Sequence, residues 1–136
     1  MSISFSNAKN IEKNQLKNLY SNVDWIAYTQ NIELLEQAVS NSLEVISAWD
    51  NGELIGLIRA VGDGLTILYI QDILVVDSFQ NQGIGTQLIQ KLLKKYEKVR
   101  QTVLLTEEAP DVRRFYEKNE FKSCDQGTLV AFAKIK

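Results

Sequence analysis

The sequence contains no histidine, one cysteine (Cys124) and one proline (Pro110) among 136 residues. Without imidazole it has no Ser-His-Asp or Cys-His relay, no HExxH zinc site and no other zinc site that needs histidine. A lone cysteine excludes an internal disulfide or a thiolate cluster. No apolar run approaches membrane-spanning length, and the opening MSISFSNAKN lacks the charged and apolar blocks of a signal peptide. The expectation is a soluble cytoplasmic protein without a membrane partner. Nor is there an excess of basic residues. The formal net charge is −2, so nothing supports phosphate neutralisation along a nucleic acid. Any acid or base must come from Asp, Glu, Tyr, Lys, Cys or water.

What is present is a globular composition, 45% apolar and 24% charged. The length suits one domain spanning 1–136, able to bury roughly two-thirds of its unfolded surface. Helical spacing runs through Ile11, Leu16, Leu19 and Tyr20, and again through Leu34, Leu35, Ala38 and Val39. Strands are expected over Leu43–Trp49 and Leu54–Val61, joined by a turn at Asp50-Asn51-Gly52 in which Gly52 takes a positive φ. Gly62-Asp63-Gly64 is a second turn. Leu65–Val76 is apolar on both alternating faces and therefore central to a sheet.

Ile84, Leu88, Ile89, Leu92, Leu93 and Tyr96 then form one helical stripe, with Lys91, Lys94, Lys95 and Lys98 largely off it as a solvated face. A short strand over Thr102–Thr106, a helix over Ala109–Lys118 with Pro110 in its first turn, and a final strand or pair from Phe121 to near Ala133 complete the chain. Cys124 falls in that last stretch and reads as core. The fold class expected is α/β (α+β), with a mixed, mostly antiparallel sheet and helices on both faces.

The chemically informative stretch is Leu74–Gly85, LVVDSFQNQGIG, a central strand running through a turn into a helix. Unpaired N–H groups at a helix N-terminus favour an anion, and glycines let it approach the main chain. Gln80 and Gln82 add neutral donors. The same glycines equally suit close helix packing. Walker A and the Rossmann GxGxxG are both absent, and what remains is QxxGxG.

Gln80, Gly83 and Gly85, preceded by Phe79, resemble the [QR]xxGx[GA] motif of the GNAT superfamily of acetyl-CoA-dependent N-acetyltransferases. Phe115-Tyr116-Glu117-Lys118-Asn119-Glu120-Phe121 is similar to that family's FYEKxGF segment, with Glu120 in place of Gly. The segment from Gly62 to Gly85 looks most like small bacterial and arylalkylamine-type members.

The resemblance implies that the strand end Ile73, Leu74 and Val75 splays from its neighbour and binds the pantetheine arm of acetyl-CoA through its backbone. Asn81, Gln82, Gly83, Ile84, Gly85 and Thr86 would hold the pyrophosphate, with Gln80 beside them. A main-chain N–H near Leu74 or Val75 would face the thioester oxygen as the tetrahedral intermediate forms. Tyr116 takes the place of the general acid for the departing thiolate, although a tyrosine on such a helix is also a packed aromatic with a wet hydroxyl. No metal is required.

Asp72, a carboxylate within an apolar strand, is either the base or substrate anchor, or a buried acid capping a loop. In polyamine-acetylating relatives the matching pair is Glu-Asp; here it is Gln71-Asp72, and Gln71 is no base. Glu107 and Glu108 are alternative bases or amine anchors, or solvated charges, and Arg113 and Arg114 could contact a CoA phosphate but read first as surface charge. Trp25 and Tyr28 either wall an acceptor pocket or pack the first helices onto the sheet. The reading is acetyl transfer to a primary amine, most simply a small molecule, by direct attack. A non-catalytic acyl-CoA-binding module and a protein N-terminal or lysine acetyltransferase are the alternatives. A homodimer is the assembly common among the proteins it resembles.

Overall fold

The computed structural model describes residues 2–136. They divide into two units, one ending at Leu105 and one spanning Thr106–Lys136. The first contains β1 (Ser4–Ser6), α1 (Lys13–Asn22), α2 (Ile26–Thr29), α3 (Ile32–Ser40), β2 (Glu44–Asp50), β3 (Glu53–Gly62), β4 (Ile67–Val75), α4 (Ile84–Lys95) and β5 (Gln101–Leu104). Its sheet has the order β1-β2-β3-β4-β5. All neighbours are antiparallel except the last pair, β4 and β5, which α4 joins as a parallel crossover. No helix among the described residues is long and apolar enough to cross a membrane.

Local chemistry sets these boundaries. The Glu12 carboxylate accepts from the Asn14 N–H to open α1, and the Asn31 side chain accepts from the Leu34 N–H to open α3. Asn51 (φ 50°) and Gly52 (φ 77°) supply the two left-handed positions of a tight hairpin between β2 and β3. At the next turn Gly62 has φ 135°, and a Cβ there would sit 2.4 Å from the Ile67 carbonyl oxygen. Asp63 closes that loop by accepting from the main-chain N–H groups of Leu65, Thr66 and Ile67.

Leu16, Leu19 and Tyr20 of α1 and Leu35 and Val39 of α3 pack with Val45, Leu57 and Leu74 on one face of the sheet. Gly56, next to Leu57, points the other way, where a Cβ would lie 3.4 Å from Leu88 Cδ1 of α4. Helices thus cover both faces.

One irregularity matters for the site. Arg59 pairs with Asp72 and Ala60 with Ile70, leaving Gln71 as an extra residue on β4. This bulge resets the in-out alternation. Leu68 and Ile70 pair into the even face of β3, whereas Asp72 and Leu74 follow the odd face toward α1. The extra residue itself is exposed.

The second unit holds α5 (Pro110–Lys118) and a 3₁₀ turn at Cys124–Gln126. The final strand expected from Phe121 to Ala133 does not form. Leu129, Val130 and Phe132 in that stretch are exposed, and no strand lies within this unit to pair with them. Cys124 is likewise exposed rather than core.

Candidate functional site

β4 and β5 share a register only from Ile67↔Gln101 to Ile70↔Leu104. From Asp72 to Val75, β4 keeps its β3 partner but has no strand on the other side among the described residues. An open edge with alternating N–H and C=O groups can pair with any extended amide-bearing chain.

The loop after Val75 is braced by side-chain amides. Gln80 Nε2 donates to the Val75 carbonyl at 3.0 Å and to Asp77 Oδ1 at 3.3 Å, and Gln82 Nε2 donates to the Ser78 carbonyl at 3.3 Å. The Asp77 N–H donates to Asn22 Oδ1 at 2.9 Å, tying the loop to α1. Asn81 (φ 64°) and Gly83 (φ 81°) take left-handed positions that turn the chain into α4. No side chain caps α4 at Gly83 and no acid occupies its first turn, while Lys94 and Lys95 sit in its last. A Cβ added to Gly83 would meet nothing within 4 Å. The first-turn N–H groups of Ile84, Gly85 and Thr86 therefore form an uncapped, positively polarised end beside open space. Open strand edge followed by uncapped helix fits an extended arm carrying amides and ending in phosphate.

Beneath this edge lies a buried polar cluster. Asp72 is 3% and Arg59 6% exposed, and Arg59 Nε meets Asp72 Oδ2 at 2.5 Å. The same oxygen accepts from the Tyr20 hydroxyl, and Oδ1 accepts from the Tyr28 hydroxyl, both at 2.9 Å. Gln71 Nε2 donates to the Tyr28 oxygen at 3.1 Å. No buried side-chain nitrogen or oxygen among the described residues lacks a partner. Burial, with the Asp72 charge adding to it, raises the Tyr20 hydroxyl pKa well above the phenol range, and burial likewise raises that of Tyr28. Burial works against the Arg59 charge, but Asp72, Tyr20 and Tyr28 together outweigh it, and the guanidinium pKa is raised.

Tyr20, Trp25 and Tyr28 form an aromatic group, with Tyr20 edge-on to Tyr28 at 5.1 Å and to Trp25 at 5.9 Å. Trp25 and Tyr28 are partly buried and pack on the α1/α3 core. The stretch 22–28 read as a connector contains the start of α2.

A family model for the acetyltransferase (GNAT) domain matches residues 8–134. The chain belongs to the GNAT superfamily of acetyl-CoA-dependent N-acetyltransferases. It is 32% identical to a GNAT family acetyltransferase from Streptococcus pneumoniae TIGR4, with a TM-score of 0.87 over 99% of this chain and 98% of that one. It is 28% identical to the uncharacterized N-acetyltransferase ycf52 of Pyropia yezoensis, over 96% of this chain and 76% of the relative. The fold also matches AAC(6')-Iy, solved with the bisubstrate analog CoA-S-monomethyl-acetylneamine. That match has a TM-score of 0.68 at 16% identity and covers both chains in full.

The second GNAT motif lies in the Thr106–Lys136 unit. Tyr116 of α5 packs edge-on to Phe115 at 5.1 Å and Phe121 at 5.7 Å. Burial raises its pKa, opposed by a hydrogen bond with the Thr106 side chain. Glu120, where the motif has glycine, keeps the left-handed backbone at φ 69°, and the Phe121 N–H closes the helix end on the Tyr116 carbonyl at 3.0 Å. Arg113 is engaged by Glu108 at 2.6 and 2.8 Å and by Asp125 at 2.9 Å, which leaves it little spare charge for a phosphate.

Sequence reasoning singled out Asp72 and missed Arg59. The signal was available: Arg59 is the lone charge in the apolar stretch 54–61, as Asp72 is in 65–76. Tyr20 was read only as a core position on the α1 stripe.

Proposed function

We propose that this protein transfers the acetyl group of acetyl-CoA to the primary amine of a small molecule by direct attack. The observation that carries this reading is the loss of β4's partner after Ile70, immediately ahead of the uncapped N-terminus of α4. Acetyl-CoA supplies the thioester that is attacked and the thiolate that leaves. Backbone groups of Ile73, Leu74 and Val75 bind the pantetheine arm as a strand would, and an N–H near Leu74 or Val75 stabilises the developing oxyanion. N–H groups from Asn81 to Thr86 hold the pyrophosphate, with Gln80 and Gln82 keeping the loop in shape.

Tyr116 serves as the general acid. Its raised pKa leaves the phenol protonated at neutral pH, so the proton is present when the thiolate departs. Asp72 serves as a positioning group and water takes the proton of the amine. What supports this division is that both Asp72 oxygens already accept from Arg59, Tyr20 and Tyr28. Trp25 and Tyr28 form the apolar wall of the acceptor site. The bisubstrate analog held by the fold relative AAC(6')-Iy supports a small-molecule acceptor.

The test is thiol release from acetyl-CoA with phenethylamine, spermidine, neamine and a lysine peptide. The expected result is saturable release with at least one of the three small amines. Saturable acetyl-CoA binding without release in any arm would assign a non-catalytic module, and release with the peptide alone a protein acetyltransferase.

A further inference from the structure

Gln71 stands at the junction of the two features described above. It is the bulge residue of β4, it is exposed, and it is the first residue past the last β5 pair. Its amide is held in one sense by a chain of donor and acceptor requirements running outward from the buried ion pair. The Asp72 carboxylate only accepts, so the single Tyr28 hydroxyl proton goes to Oδ1. The Tyr28 oxygen then only accepts, from Gln71 at 3.1 Å and more distantly from Arg59 Nη2 at 3.5 Å. Gln71 must therefore turn its NH₂ group to Tyr28. Its Oε1 is left facing away from Tyr28 and has no protein partner among the described residues.

We propose that Gln71 presents its side-chain carbonyl oxygen to an N–H of the acceptor amine, with Tyr28, Asp72 and Arg59 as the positioning residues that fix which way its amide sits. The inference rests on the acetyl-transfer reading above and deepens it. An attacking amine must aim its lone pair at the thioester carbon, so its N–H bonds need an acceptor elsewhere. A neutral amide oxygen takes an N–H without the full charge by which a carboxylate would favour the protonated, unreactive ammonium form. The substrate class is thus an amine that keeps a free N–H at the nitrogen that reacts.

The experiment compares wild type, Gln71→Met and Tyr28→Phe, using whichever of phenethylamine, spermidine or neamine the wild type turns over fastest. Gln71→Met keeps the length of the side chain and removes the acceptor. Its KM for the amine is expected to rise about tenfold while acetyl-CoA affinity and the melting temperature stay at wild-type values. Tyr28→Phe frees the amide to rotate and is expected to raise the amine KM by a smaller factor, about threefold. An amine KM for Gln71→Met within about twofold of wild type overturns the inference and leaves acetyl transfer standing. A wild-type protein that binds acetyl-CoA but acetylates none of the three amines overturns the small-molecule reading and this inference with it.

Discussion

Arg59 and Asp72 face each other across β3 and β4 with Nε and Oδ2 2.5 Å apart, both almost wholly out of water. The pair joins the sheet to α1 through Tyr20 and to α2 through Tyr28. Its removal therefore affects packing and site geometry together.

Breaking one side of this pair strands a buried charge. Asp72→Ala is expected to lower unfolding free energy by about 3–5 kcal/mol in urea titrations. The double variant Arg59→Met with Asp72→Leu should recover most of that loss, because it removes both charges and fills the space with apolar atoms. A double variant as unstable as the single one would show that the charge itself is not what the core must satisfy.

The loop carboxylate of Asp63 gives a pH signature. Main-chain N–H groups of Leu65, Thr66 and Ile67 hold its pKa well below the usual carboxylate range. A depressed folded-state pKa contributes stability that is fully present above the unfolded value, about 3.9, and is lost as pH falls below it. The stability advantage of wild type over Asp63→Asn should be constant from neutral pH down to about pH 5 and shrink progressively below about pH 4. Thermal melts across that range provide the check, and an advantage that grows on acidification would contradict it.

Glu120 occupies a backbone region that favours glycine, at φ 69°. Glu120→Gly is expected to stabilise the chain by about 0.5–1 kcal/mol, since glycine adopts this conformation without a Cβ clash. Glu120→Ala should bring no comparable gain. The comparison is made by denaturant midpoint.

Tyr116→Phe tests the acid directly. Turnover should fall by about a hundredfold or more with acetyl-CoA affinity nearly unchanged. Equal turnover would return Tyr116 to the role of a packed aromatic between Phe115 and Phe121.

The parts of this account that were legible in the sequence are those encoded locally. The Asn51-Gly52 hairpin, the α4 stripe and the QxxGxG turn each carry their own periodicity or backbone requirement, and each appears where the residues indicate. α2 was not legible because a four-residue helix has too few turns to carry a pattern, and tertiary packing of Trp25 and Tyr28 supplies what propensity does not. The bulge at Gln71 was hidden because it is a property of pairing between strands, and it decides that Asp72 points toward Tyr20. The strand expected after Phe121 failed for the same reason in reverse: Leu129, Val130 and Phe132 are apolar, but a strand exists only with a partner edge.

The central claim is that the open β4 edge and the uncapped α4 N-terminus together hold acetyl-CoA. Amide hydrogen exchange with and without acetyl-CoA measures it residue by residue. The account predicts slowed exchange at the edge-facing amides between Gln71 and Val75 and at Ile84, Gly85 and Thr86. Saturable acetyl-CoA binding that leaves both segments exchanging at their free rates would contradict it.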